Sequence, residues 1–320
     1  MLPTAHRIVF VLLLGVLLLG ALLHADAAAQ TAVDAAPLDV SEVASGVFVH
    51  AGALEDWLPA NGGDIANLGF IVGSRCVAVI DTSGTPQLGL RWRAAIERTT
   101  RLPICFVINT HAHPDHVLGN AAFVGPDTRF VASAKFNAAM AAREPYFLRA
   151  LSRDFGTLLA REALVYPTIG VDGTRELDLG DRVVVVQTWP TAHTDNDLTV
   201  YDRKSRTLFT SDLLFARHIP VVDGSLRGWL DTVQRLAKID AALIVPGHGP
   251  TQAGGPGAWQ PQQAYLEALL QETRAAIKAR KTLSQALESV GVRAASRWQL
   301  AERFHRRNVT AAFAELEWED

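Results

Sequence analysis

Within six positions of the segment INTHAHPDHVLGN lie His111, His113, Asp115 and His116, three imidazoles and a carboxylate, the donor types that hold a divalent metal such as zinc. The chain has ten histidines in 320 residues, so three of them here form a marked local concentration. The apolar run ICFVI just before reads as a buried strand, which puts the four residues in the loop leaving its carboxyl end, where sheets flanked by helices usually hold ligands. Residues two apart in extended backbone point the same way, so His111 and His113 can grip one ion. Pro114 then turns the chain and opens a short helix that aims Asp115 and His116 at a neighbouring position. One segment can thus seed two adjacent metal sites.

About four ligands are needed per zinc, so others must come from elsewhere. The candidates are His193 in WPTAHTDND, Asp212 in LFTSDLLF and His248 in IVPGHGP, each directly after an expected strand and so on the same rim. Taken singly, the two histidines read as polar loop residues and Asp212 as a strand-end cap. Their shared placement makes them candidates. His50, His218 and His305 have no motif context and read as structural or surface residues, with His218, soon after Asp212, the best placed for substrate. No serine or cysteine lies in a nucleophile motif.

The elements that must position these residues are short apolar runs, at 46–50, 65–72, 76–80, 104–109, 129–132, 183–188, 198–201, 207–210 and 243–245. Helical patterns at 86–99, 133–163 with interruptions, and 227–239 alternate with them, which implies sheets covered by helices. From residue 262 the strand signal stops and helices are expected at 262–280, 283–290 and 298–317, joined to the rest by the Gly-rich stretch 253–259. Phe136, Tyr146, Phe147, Arg149 and Arg153 recur at helical spacing, which reads as core packing, with a cover over the metal site as the alternative. Trp57 and Leu58, in the loop before the second strand, carry the same two readings.

Apolar residues make up 49% and charged residues 20%, enough for a sizeable core. A net charge of -3 with scattered Lys and Arg offers no field for a phosphate backbone, so nucleic acid is not expected as a partner. His6 and Arg7, the apolar run 8–23 and the small residues around Ala25 to Ala29 have the order of a signal peptide, which predicts a leader over 1–29 and a periplasmic or secreted mature protein. Sixteen apolar residues are short for a membrane span, so no stable span is expected after cleavage. Cys76 and Cys105 sit in separate apolar runs, and the sequence leaves open whether they pair.

The motifs VIDTSG with Asp81, HAHPDH, AHT, TSD and PGHG, in this order over residues 43–250, resemble the metallo-β-lactamase superfamily of metallohydrolases. The resemblance implies an αββα sandwich, two mixed sheets face to face with helices outside. It implies a fold domain at 38–255 and a C-terminal helical extension, 256–320, packed on it. It carries over His111, His113 and His193 as ligands of a first zinc, and Asp115, His116 and His248 as ligands of a second, with Asp212 bridging. Asp81 becomes the carboxylate that fixes the tautomer of one loop histidine. His at 113 departs from the di-iron flavoprotein branch, which has Glu there. Asp212 in place of a cysteine is as in glyoxalase II-like hydrolases rather than the best-known zinc β-lactamases. More loosely, GDIANLGFIVG, FLRAL and RFHRRNVTAAFAELE resemble SoxH-like quinoprotein relay metallohydrolases, which implies quinoprotein or sulfur-oxidation partner proteins.

The implied function is an exported binuclear zinc hydrolase in which a metal-bound hydroxide, oriented by Asp115, attacks a small ester, thioester, lactone or related substrate. Two alternatives share the fold. One is a mononuclear iron enzyme of sulfur or persulfide chemistry using His111, His193 and Asp212; the other is a zinc β-lactamase.

Overall fold

Val77 and Val79 face one way along their strand while Ala78 and Ile80 face the other, and all four are buried, so the strand is covered on both sides. That pattern repeats across the computed structural model, which describes residues 36–157 and 159–319; the leader expected over 1–29 lies outside the described residues. The first sheet contains β1 (Ser41–Ala44), β2 (Val47–His50), β3 (Leu68–Val72), β4 (Val77–Ile80), β5 (Ile104–Ile108), β6 (Arg129–Ser133) and β7 (Ile169–Val171), paired in chain order. It is antiparallel up to β4 and parallel beyond. The second contains β8 (Thr174–Asp178), β9 (Val183–Thr188), β10 (Leu198–Asp202), β11 (Thr207–Phe215), β12 (Leu243–His248) and β13 (Gln252–Ala253), with only β11 and β12 parallel.

The sheets meet face to face through one apolar layer. Ile71, Ala78 and Ile80 from the first pack with Val184, Val200 and Phe209 from the second. Gly69 is required at this contact, because a Cβ there would lie 2.3 Å from the Phe209 ring. Cys76 and Cys105 are joined in a disulfide that ties the edge of β4 to β5.

Helices cover the outer faces. Against the first sheet lie α1 (Pro86–Thr99), α2 (Pro114–Val117) and α3 (Phe136–Phe155). Thr85 starts α1 by accepting from the Leu88 amide, with Pro86 at the first position. Against the second lie α4 (Leu226–Leu236), α5 (Gln260–Lys278), α6 (Leu283–Leu287), α7 (Val292–Ala295) and α8 (Ala301–Leu316). Leu208, Leu213, Trp229, Leu266 and Val309 form one cluster across β11, α4, α5 and α8, so the C-terminal helices share a core with the second sheet. The αββα architecture is the one the family resemblance implied. Among the described residues no helix is long and apolar enough to cross a membrane.

Three differences from the sequence reading have clear causes. The sequence reading ended β11 at residue 210 because Ser211 and Asp212 are polar, but the strand runs to Phe215. Strands β1, β7 and β8 were missed because each shows the chain half-polar or half-exposed, without a continuous apolar run. Third, α3 does not serve packing alone. Its Phe136, Met140 and Phe147 are core, while Arg143, Tyr146 and Arg153 line the cleft described below.

Trp92 on α1 is fully buried, packs edge-on to Phe70 at 5.6 Å and donates to the Asp81 carbonyl. Trp92→Ala is expected to cost about 3–5 kcal/mol, read from the denaturant midpoint; a loss under about 1 kcal/mol would mean the outer helix contributes little.

Candidate metal centre

Seven side chains converge where strands of both sheets end. His111 and His113 lie in the loop after β5, Asp115 and His116 on α2, His193 in the loop after β9, Asp212 within β11 and His248 at the end of β12. The ligand atoms of His111, His113, His193 and Asp212 all lie within 4.8 Å of one another, as do those of Asp115, His116 and His248. Asp212 faces both groups. Its Oδ2 is 3.3 Å from His193 Nε2, 3.8 Å from His111 Nε2 and 3.4 Å from His248 Nε2, while Oδ1 is 3.2 Å from His116 Nε2. Asp115 Oδ2 lies 3.4 Å from both His116 Nε2 and His248 Nε2.

Local backbone irregularity aims Asp212. The pairing of β11 with β12 shifts register between Phe209 and Ser211, and Ser211 adopts φ 46°, a left-handed conformation that costs a non-glycine residue about 1–3 kcal/mol. Gly247 makes room for the carboxylate, since a Cβ there would meet Asp212 Oδ1 at 1.9 Å. Asn67 secures the turn carrying His248 by donating to the carbonyls of Pro246 and Gly249 at 2.8 and 2.7 Å.

Each imidazole is anchored through its other nitrogen. His193 Nδ1 donates to the Val221 carbonyl at 2.7 Å and His248 Nδ1 to the Ile65 carbonyl at 2.9 Å. His116 Nδ1 reaches Asp81 Oδ2 at 2.8 Å, and His113 Nε2 reaches Asp223 Oδ2 at 3.0 Å. His111 Nδ1 lies 3.2 Å from Thr110 Oγ1, whose own hydrogen goes to Asp81 Oδ2 at 2.7 Å. A carbonyl or carboxylate only accepts, so the anchored nitrogens carry the hydrogens and the opposite ones present lone pairs inward. His113 Nδ1 then faces His111 Nε2 at 3.0 Å and His193 Nε2 at 3.1 Å, three acceptors without a donor between them. His116 Nε2 and Asp212 Oδ1 are buried with no hydrogen-bond partner. Cations held by the two groups satisfy all of these atoms, so the donor set fits a metal site.

The electrostatics without a metal tell the same story. Burial opposes protonation of His116 and His248, but Asp115 and Asp212 outweigh it, raising His116 well above the ordinary value and His248 to about 9. Burial and the neighbouring imidazoles push His111 well down, and burial holds His193 at about 4. Burial disfavours the charged forms of Asp115 and Asp212, yet the histidines beside them hold both carboxyls well below the usual range. Protonated His116 and His248 thus meet part of the negative charge that a bound cation would meet.

Four supporting groups were not found from the sequence. Asp223 accepts from His113, Arg143 and Arg307, three separate elements. Asn196 takes the Ala112 amide at 2.9 Å and so joins the HAHPDH and AHT loops. The Val221 and Ile65 carbonyls left no side-chain signature. Asp223 and Asn196 are single polar residues in loops, with no spacing to mark them. Of the histidines outside the motifs, His50 is bonded to Asp39 and Asp64, and His305 to Tyr265 and Val290. His218 lines the cleft with its ring 5.1 Å from that of His248.

A cavity of about 910 Å³ opens over His113, Asp115, His193, Asp212 and His248, with Trp57, Leu58 and Phe147 among its apolar walls and Arg143 and Arg307 among its polar ones. That size suits a small organic ligand. The loop of Trp57 and Leu58 is therefore part of the cleft wall, with Trp57 stacked on Phe155 at 4.6 Å.

Gly247→Ala is expected to displace Asp212 and lower metal affinity by about 10–100-fold while leaving the fold intact; unchanged metal content under competition from a chelator would contradict it. For metal-free protein, the raised pKa of His248 means stability that is full below about 6.5 and is lost as pH rises through about 9, and the raised His116 acts in the same direction. Asp197, pushed by burial up to about 8, works in the same direction in either form. The urea midpoint should therefore fall more steeply from pH 6.5 to 9 in the chelated than in the metal-loaded protein.

The family model of the metallo-beta-lactamase superfamily matches residues 61–248, more than half of the chain. The structure is similar to a metallo-beta-lactamase from Pontibacter korlensis at 19% identity and TM-score 0.59, covering 72% of this chain and 99% of that one. A metallo-beta-lactamase from Hirschia baltica gives 18% identity and TM-score 0.56, covering 72% and 97%. A stereoselective inverting sec-alkylsulfatase from Pseudomonas sp. gives 17% and TM-score 0.66, covering 91% of this chain and 55% of that one. No curated protein matches. At such identities the structural likeness concerns the fold, and the family rests on the matched domain: this chain belongs to the metallo-beta-lactamase superfamily.

Proposed function

We propose that this chain is an exported hydrolase that holds two zinc ions and acts on a small ester, thioester, lactone or related substrate. One observation carries the reading: five anchored imidazoles turn their free nitrogens, with two carboxylates, toward a common buried centre. His111, His113 and His193 would hold one ion and Asp115, His116 and His248 the other, with Asp212 shared. When bound, the metals supply Lewis acidity and make a water nucleophilic near neutral pH. The second triad argues for two ions, since a mononuclear iron centre on His111, His193 and Asp212 would leave a second buried donor set, Asp115, His116 and His248, without a metal to hold.

The chain's own residues have separable roles. Asp115 lines the cleft as an ionised carboxylate, able to accept a hydrogen from the attacking water and so orient its lone pair. Asp81 and Asp223 hold His116 and His113 in the tautomers that leave Nε2 and Nδ1 free. His218 donates through Nδ1 to the Ile219 carbonyl and, held near 4 by burial, stays neutral with Nε2 as an acceptor for substrate. Trp57, Leu58 and Phe147 exclude water from one side of the cleft. The Cys76–Cys105 bridge supports export, because such bonds persist in oxidising compartments.

Metal analysis of the purified protein should return about two zinc per chain, and a panel of thioester, lactone, phosphodiester and β-lactam substrates should reveal chelator-sensitive turnover. His113→Ala should abolish that turnover with an unchanged circular dichroism spectrum. Retained turnover in this variant, or a single iron per chain, would overturn the proposal.

A further inference from the structure

A second cavity, of about 520 Å³, lies on the other side of Phe215 from the metal cleft, between the end of β11, α5 and the segment around α7. Phe215 lines both cavities, and its ring stacks on His248 at 5.1 Å and 12°. The second cavity contains none of the seven metal-centre residues. Its walls are mainly apolar, with Phe215, Tyr265 and Trp298 as aromatic sides and Pro261 and Ala268 between them. Around it stand Arg217, Arg293 and Arg297, all exposed. None of these guanidinium groups forms an ion pair or side-chain hydrogen bond among the described residues. The fourth charged group, Glu272, is already engaged by the Gly291 amide at 2.6 Å.

This contrasts with the rest of the surface near the active site, where Arg143 and Arg307 are paired with Asp223 and Arg303 with Asp56. Three uncommitted cations beside an aromatic cavity of ligand size form a two-part recognition surface, an apolar slot with an anion-binding edge. From this we infer that the cavity is a separate binding site for an amphipathic anion, a carboxylate bearing an unbranched alkyl chain. The chain lies along Tyr265 and Trp298 and the carboxylate meets Arg293 and Arg297. Charge complementarity selects this occupant over a neutral lipid or a cationic amphiphile.

Decanoate is the probe, titrated calorimetrically into the purified protein with metals bound and again after chelation. The expected result is saturable one-site binding in both forms, with decyltrimethylammonium weaker by about tenfold or more. R293E/R297E, which alters exposed side chains only, should weaken decanoate by a similar factor, and Ala268→Trp should block the slot with the arginines intact. The inference is overturned by any of four results. These are absence of saturable binding, binding unaffected by both variants, equal binding of the cationic probe, or binding lost on chelation, which would put decanoate on the metals. A slot already filled by a second copy of the chain would also overturn it, and would show as a dimer that Ala268→Trp dissociates and decanoate does not.

Discussion

Two carboxylates, Asp115 and Asp212, are buried at the join of the two sheets, and their negative charge must be met there. Water cannot do this, because burying an unpaired ion costs several kcal/mol on the order of its lost hydration. Five imidazoles surround them, but each has spent its hydrogen on an outer acceptor, so what they offer inward are lone pairs. The arrangement is therefore balanced only with positive charge at its centre, as protons on His116 and His248 or as metal ions. The rest of the structure can be understood as the means of holding seven side chains in that otherwise unfavourable geometry.

The sandwich supplies the geometry by bringing strand ends of both sheets to one rim, and strained backbone completes it. Asp81 adopts φ 58° and Ser211 φ 46°, two left-handed non-glycine residues, one orienting His116 and the other preceding Asp212. The sites are linked directly, because Thr110 Oγ1 donates to Asp81 and lies 2.7 Å from the Ser211 hydroxyl, so the first sheet's His111 loop and the second sheet's Asp212 bulge share one hydrogen-bond network. Strain of this kind persists only where the surroundings over-determine it. Here the close approach of Gly247 to Asp212 and the Asn67 clamp on the PGHG turn do so.

What the sequence made legible was whatever carries a local signature. HAHPDH packs two functions into six residues, and Val- and Ile-rich runs such as ICFVI and VVVVQT announce strands by composition alone. The family motifs then tied His193, Asp212 and His248, all far along the chain, to that loop. Groups that act through a single backbone carbonyl or an isolated loop acid, such as Val221 and Asp223, have no such mark, since their role exists only once distant elements meet. The same holds for the pairing of Cys76 with Cys105, which depends on β4 and β5 being neighbours. In α3 the sequence displayed an apolar stripe correctly read as core, but a stripe says nothing of what its polar side faces.

The C-terminal helices show why a tail without ligands still belongs to the centre. Asn308 on α8 donates to the Pro220 carbonyl at 2.6 Å and accepts from the Val222 amide at 2.9 Å, gripping the loop that anchors His193 through Val221 and His113 through Asp223. Arg307, one residue earlier, reaches Asp223 itself. Two turns of helix further along, Glu315 accepts from Ser225 Oγ and the Leu226 amide, capping α4, whose Trp229 packs 5.4 Å from the His193 ring. Two of the seven inward-facing residues therefore owe their orientation to contacts made by the last helix. A chain that lacked that helix would keep every ligand and lose the grip on the loop whose acceptors, the Val221 carbonyl and Asp223, tell two of them which nitrogen to present.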